Sequence, residues 1–240
     1  MTEAPGASPR RSVAVAIALA SGLVTAFAFP GPDLEVLAFV ALVPLLWLWH
    51  DARPGRAALL GFVAGLGFFG FHLSWTWYFG AIAIVPLVAL QAAFWAAAGA
   101  IVGVLGRRGI RSPFLTAAVW VVFEAIRTRW PLGGLAWGQL GVALHDFGFG
   151  RALASWGGVP LATFVVVAIN GVLADVVRAG RASRTALRSA VVALVAIVAV
   201  VTAATVTRFQ PRSSGSLRFA LLQGNDKDRY LTQARSTAST

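Results

Sequence analysis

Cysteine is absent from the 240 residues, and lysine occurs once, as Lys227. The first absence excludes disulfides, thiolate metal sites and a cysteine nucleophile within the chain. Charge is scarce as well: 12% of residues are Asp, Glu, Lys or Arg, where soluble domains average about 25%. With 58% of the residues hydrophobic, that balance excludes an ordinary soluble domain and predicts a protein that crosses a membrane several times. A formal net charge of +11 suggests nucleic acid as a partner, but the distribution of charge argues against it. The arginines lie in short loops between apolar runs, where they report membrane orientation. The three histidines, His50, His72 and His145, show no ligand spacing, so no metal site is expected.

What the chain does have is a series of apolar runs long enough to approach the ~30 Å of a bilayer core. They fall at about 13–30, 34–49, 57–73, 81–105, 113–129, 152–177 and 188–207. The first follows a polar tail, residues 1–12, that ends in Arg10 and Arg11. It has no clear small-x-small cleavage site before Phe29–Pro30, and six more apolar runs follow, so it reads as an uncleaved span rather than a signal peptide. The second and third runs are short, which calls for tilt or local thinning. Seven spans put the two ends of the chain on opposite sides. One set of alternate connections carries Arg10, Arg11, Arg53, Arg56, Arg107, Arg108, Arg111, Arg178, Arg181, Arg184 and Arg188; the other carries Arg127, Arg129 and Arg151. The positive-inside rule then makes the N-terminus cytoplasmic and everything after about Thr207 extra-cytoplasmic.

Within the spans, Gly61…Gly65 and Gly99…Gly103 allow close helix approach. Pro44 and Pro86 are expected to kink their helices. Gln91 and Asn170 read as interhelical hydrogen-bond partners, and Asp175 with Arg178 as an interfacial pair. The outer connection SWTWYFG, Ser74–Gly80, is uncharged and aromatic, as suits the head-group boundary.

The most informative stretch is WVVFEAIRTRWPLGGLAWGQLG, Trp120–Gly141. It places Glu124 and Arg127 in an apolar helix, where charge is costly unless partnered and often marks function. Their i, i+3 spacing puts carboxylate and guanidinium on one face, where they can meet. Two readings follow: an ion pair that pins the outer end of the helix, or a direct part in binding a polar head group. The connection from about Arg127 to Arg151 is long, and with Trp130, Trp137, His145 and Phe147 it is too aromatic for disorder. It is expected to fold back on the outer surface as short or re-entrant pieces. His145 and Asp146 look like a base and its partner, but adjacent side chains point apart, which argues against a catalytic pair. Beyond Thr207, residues 209–216 read as a polar linker, and LRFALLQGN, Leu217–Asn225, as a short buried strand leading to a turn. One strand cannot form a core. The segment 217–240 therefore reads as the truncated start of a further domain.

Taken together these stretches resemble the apolipoprotein N-acyltransferase family. FAFPGPDLEVLAFVALVPLL (Phe27–Leu46) is similar to the family's opening spans, and GFVAGLGFFGFHLSWTWY (Gly61–Tyr78) to its third. Trp120, Glu124 and Arg127 match a W-x3-E-x2-R pattern, and Gly134, Trp137, Gln139 and Gly141 match the G-F-P-W-x-Q-x-G that follows it, with Leu135–Ala136 in place of Phe-Pro. Val142–Leu144 departs from a more polar Tyr-Ser-Gln. Asn170 falls where the sixth span commonly has Asn, and ALLQGN (Ala220–Asn225) is similar to the opening of the family's nitrilase-like domain.

The resemblance implies an all-α polytopic membrane domain of about seven helices over 13–208, followed by the start of an α/β nitrilase-like domain. It also implies a reaction in the bacterial cytoplasmic membrane. An acyl chain moves from a phospholipid, typically phosphatidylethanolamine, to the α-amine of a diacylglyceryl-modified N-terminal cysteine on an apolipoprotein. A Glu–Lys–Cys triad on the nitrilase-like domain would carry the acyl group as a thioester, with no cofactor. The implied partners are the phospholipid donor, the apolipoprotein acceptor and the bilayer, and not nucleic acid. Glu124, Arg127, Trp137 and Gln139 are the candidate substrate-binding or structural residues. Lys227 does not fall at the triad position and no cysteine is present. The triad is accordingly expected beyond Thr240, and the chain alone is expected to be inactive. A non-catalytic module serving a separately encoded hydrolase-like domain is the alternative. A transporter would call for an inverted repeat and midplane polarity, which the sequence does not offer.

Overall fold

Prolines and one serine set the starts of several helices. Pro44, Pro54 and Pro113 each occupy a first-turn position, where a missing N–H costs nothing. The Ser112 hydroxyl accepts from the Leu115 N–H at 3.3 Å. The resulting elements are α1 (Arg11–Ala26), α2 (Val43–His50), α3 (Pro54–His72), α4 (Ala81–Arg107), α5 (Pro113–Arg127), α6 (Gly148–Ala179) and α7 (Arg184–Val206). Short 3-10 turns stand at Glu35–Phe39, Ser74–Phe79 and Leu140–Leu144. The computed structural model describes residues 9–179, 184–207 and Gly215. The expected linker at 209–216, apart from Gly215, and the expected strand at Leu217–Asn225 lie outside the described residues. So does the rest of the expected nitrilase-like start as far as Thr240, and with it the expectation of a triad beyond that residue. The chain divides into two units at Phe209, and the architecture below is that of the first.

The described residues contain no strand. Four helices are long and apolar enough to cross a membrane: α3, α4, α6 and Leu187–Val206 within α7. The apolar stretches Arg11–Ala26 and Glu35–His50 are shorter.

The second apolar run is not one helix. It is a 3-10 turn, a break near Val40 (φ −133°), and then α2. Pro44 therefore starts a helix instead of kinking one. A break inside an apolar layer needs partners for its freed backbone groups, and Asn170 of α6 supplies them. Its amide donates to the Ala38 carbonyl at 2.7 Å, and its oxygen accepts from the Leu42 N–H at 3.0 Å. The sixth run also breaks, at Gly157 and at Gly158, whose φ of 67° favours glycine, just before Pro160.

The two small-residue spacings face each other. Gly61 and Gly65 of α3 lie against the backbone of Trp95 and Ala92, while Gly99 and Gly103 of α4 lie against Ala57 and Pro54. A Cβ at any of the four would meet the opposite helix, so α3 and α4 pack backbone to backbone. Beside this pair an aromatic core forms. Trp95 stacks on Phe68 at 5.0 Å and meets Trp120 edge-on at 4.7 Å, and Trp49 stands 5.8 Å from Trp120. Trp120 brings α5 to this core, and the last two turns of α5 carry the charged pair.

Candidate functional site

Glu124 and Arg127 end α5 as an apolar helix with two charges, and both are buried, at 4% and 1% exposure. They do not form an ion pair with each other: the ion pairs among the described residues join other groups. The expected mutual bridge is replaced by two separate grips on the connection that follows.

Arg127 takes the first half. Its Nη1 donates to the carbonyls of Leu135 at 3.0 Å and Trp137 at 2.8 Å, and its Nη2 to that of Gly138 at 2.8 Å. Nη1 also reaches Oε1 of Gln91 on α4 at 3.2 Å, and the guanidinium lies 5.2 Å from the Phe69 ring centroid. The planar fork of an arginine suits such convergent carbonyls as a lysine could not. A backbone bond from the Leu135 N–H to the Arg127 carbonyl, 2.9 Å, closes the loop on itself. The loop can turn so tightly because Gly134 (φ 79°) lies against the Thr128–Arg129 backbone, where a side chain would collide. The Trp130–Pro131 peptide is cis.

Glu124 takes the second half. Its Oε1 accepts from the Leu140 N–H at 3.0 Å and from Trp120 Nε1 at 3.3 Å, and its Oε2 accepts from the Thr163 hydroxyl at 2.9 Å. The Thr163 oxygen in turn accepts from the Gly141 N–H at 2.9 Å. Residues Leu140, Gly141, Ala143 and Leu144 are consequently buried in a 3-10 turn, one of the short pieces the sequence led us to expect in this connection. Thr163 and Phe69 carry no local signal that marks them for this site. Gln91 does, as a polar residue in a span.

Trp137 and Gln139 sit on the same stretch but face differently. Trp137 is half exposed and stands 5.5 Å from Trp75, while its carbonyl is held by Arg127. Gln139 precedes the 3-10 turn and is partly buried. Trp75, Trp77, Tyr78 and Trp130 are exposed as well.

Two expectations need correcting. His145 and Asp146 do approach: His145 Nε2 lies 3.7 Å from the Asp146 carboxylate, and Nδ1 lies 3.5 Å from Glu35. Asp33, His145 and Asp146 offer ligand atoms within 4.8 Å of one another, a grouping that spacing alone misses because two distant segments meet. Asp33 and Asp146 are exposed, and exposed acidic groups commonly gather in this way without an ion. At the opposite, arginine-rich end, Asp175 does not pair with Arg178. Asp175 meets His50 Nε2 at 3.2 Å, and Asp51 takes both Arg111 at 3.1 Å and Arg178 at 3.6 Å.

The family described as apolipoprotein N-acyltransferase N-terminal domain matches residues 21–172, which contain α2 to α5, most of α6 and both grips. An apolipoprotein N-acyltransferase of Methylococcus capsulatus is 30% identical over 239 residues, covering 93% of this chain and 46% of that protein. One of Haemophilus influenzae is 31% identical over 169 residues, covering 67% and 32%. One of Geobacter metallireducens is 29% identical over 237 residues, covering 91% and 44%. The chain spans less than half the length of these relatives. With its apolar helices, it is a multi-pass bacterial membrane protein. It belongs to the apolipoprotein N-acyltransferase family.

Proposed function

We propose that this chain is the membrane half of an apolipoprotein N-acyltransferase. It crosses the bilayer seven times, with α1, the broken Glu35–His50 stretch and α3 to α7 as the spans. The arginine-rich end faces the cytoplasm, and the connection held by Glu124 and Arg127 faces outward. Residues 209–216 would link span seven to a nitrilase-like domain that begins at 217 and whose triad would lie beyond Thr240. The donor is a phospholipid and the acceptor the N-terminal diacylglyceryl-cysteine of an apolipoprotein, as the resemblance implies. The chemistry belongs to a cysteine on the nitrilase-like domain, because a thiolate attacks the donor ester readily and its thioester stays reactive toward an amine. With no cysteine in the sequence, residues 1–240 carry no acyl transfer alone.

In this reading Glu124 and Arg127 touch no substrate. Both are buried, Arg127 holding three loop carbonyls through Nη1 and Nη2 and Glu124 the Leu140 N–H together with Trp120 and Thr163, and that observation carries the proposal. They fix the outer surface on which lipid and lipoprotein meet, and the exposed Trp137 with Trp75 presents that surface to them. The test is complementation in cells depleted of their own acyltransferase. The chain alone is expected to leave lipoproteins unacylated at the amine, and the chain fused in frame to a relative's nitrilase-like domain to restore acylation. Acylation by residues 1–240 alone, or a well-folded fusion that stays inactive, would overturn the reading.

A further inference from the structure

At the arginine-rich end, α5, α6 and α7 enclose a groove of about 490 Å³. Its mouth is polar, with Arg111, Asp175, Arg178 and Ser189, and its wall is apolar, with Phe114 and Val172 among the lining residues. At the mouth Arg111 and Arg178 are matched in number by Asp51 and Asp175, and it is Arg107 and Arg108, at the end of α4, that leave this end of the molecule positive. The same Asp51 oxygen serves two guanidiniums, Arg111 at 3.1 Å and Arg178 at 3.6 Å. The carboxylate of Asp175 is occupied by His50 at 3.2 Å. Arg178 Nη1 is buried and makes no hydrogen bond.

We propose that this groove holds an anionic phospholipid of the leaflet on that side, its phosphate between Arg111 and Arg178 and an acyl chain along Phe114 and Val172. A guanidinium with donors to spare binds a phosphate strongly, and basic pockets between membrane helices on the cytoplasmic side are suited to anionic head groups. A free phosphate ion would leave the apolar wall uncovered, and a zwitterionic lipid would leave the surplus positive charge unanswered. The site lies at the far end of α5 from Glu124 and Arg127, so it is a lipid site separate from the acylation surface. Only the identity of the leaflet rests on the proposed orientation.

The test is native mass spectrometry of the full chain in detergent with equal amounts of phosphatidylglycerol and phosphatidylcholine. Wild type is expected to retain phosphatidylglycerol about tenfold better. R111Q/R178Q should abolish that preference. So should S189W, which fills the groove from an exposed position and leaves both guanidiniums, with helix content by circular dichroism unchanged. Equal retention of the two lipids, a preference that survives both variants, or displacement of phosphatidylglycerol by equimolar inorganic phosphate would each overturn the proposal. Orientation is read separately with R108C in the cysteine-free chain. Labelling of intact cells by an impermeant maleimide would refute the cytoplasmic assignment and leave the groove standing.

Discussion

The molecule carries charge at both ends of α5, and the two ends use it differently. At the connection end, Glu124 and Arg127 are buried and bind backbone amides and carbonyls of residues 135–140. At the arginine-rich end, Asp51 and Arg111 are 64% and 46% exposed and bind each other across loops. Exposed pairs contribute about 0–1 kcal/mol and are screened by salt. A buried charge costs several kcal/mol to desolvate, and removing one partner from such a site typically costs about 3–5 kcal/mol. The difference shows where the fold spends stability on shape. One end holds a loop in shape through buried charge, and the other pairs exposed charges at its surface.

Substitutions at each end should therefore separate by size. Arg127→Met should be the most damaging, because three loop carbonyls and Gln91 lose their donor while Glu124 stays buried. We expect a loss of about 3–5 kcal/mol in detergent-solubilised unfolding, and Arg127→Lys should recover only part of it, having no fork. Gly141→Leu and Glu124→Gln come next, with overlapping ranges. The Gly141→Leu side chain would enter the Val159 carbonyl and the Thr163 amide, so that about 1–3 kcal/mol of overpacking should appear in the same assay. Glu124→Gln keeps the shape and one acceptor for the Leu140 N–H but weakens charge-assisted bonds, for about 1.5–3 kcal/mol. Asp51→Asn should be smallest, within about 1 kcal/mol, and its effect should vanish in high salt. A large Asp51→Asn effect would erase the contrast, and salt sensitivity in Arg127→Met would blur it.

Much of this was legible in the sequence where the signal is local. The runs at 57–73, 81–105 and 188–207 became α3, α4 and α7, and the glycine pairs met as their spacing implied. Gln91 and Asn170 did bridge helices, since a polar side chain in an apolar run needs a partner. What stayed hidden depends on distant residues. The break in the second run survives because Asn170, 128 residues away from Leu42, satisfies it, and no window around Val40 contains that fact. The partner of Asp175 was likewise misassigned, because Arg178, its neighbour in sequence, was preferred to His50, its neighbour in space, and His145 was expected to point away from Asp146, which it approaches. For Glu124 and Arg127 the spacing correctly placed two charges at the end of α5 but implied that they meet. A loop whose backbone amides and carbonyls converge on them offered a better set of partners for each.

The central claim is that these two charges hold the connection in shape. The most direct measurement is hydrogen–deuterium exchange across residues 128–147, comparing wild type with Arg127→Met in lipid nanodiscs. The account predicts that exchange rises in 134–144 and stays unchanged in α3 and α4, with Asp51→Asn leaving the connection as protected as in wild type. Unchanged protection of 134–144 in Arg127→Met would contradict it, and would mean that the connection keeps its shape without the guanidinium.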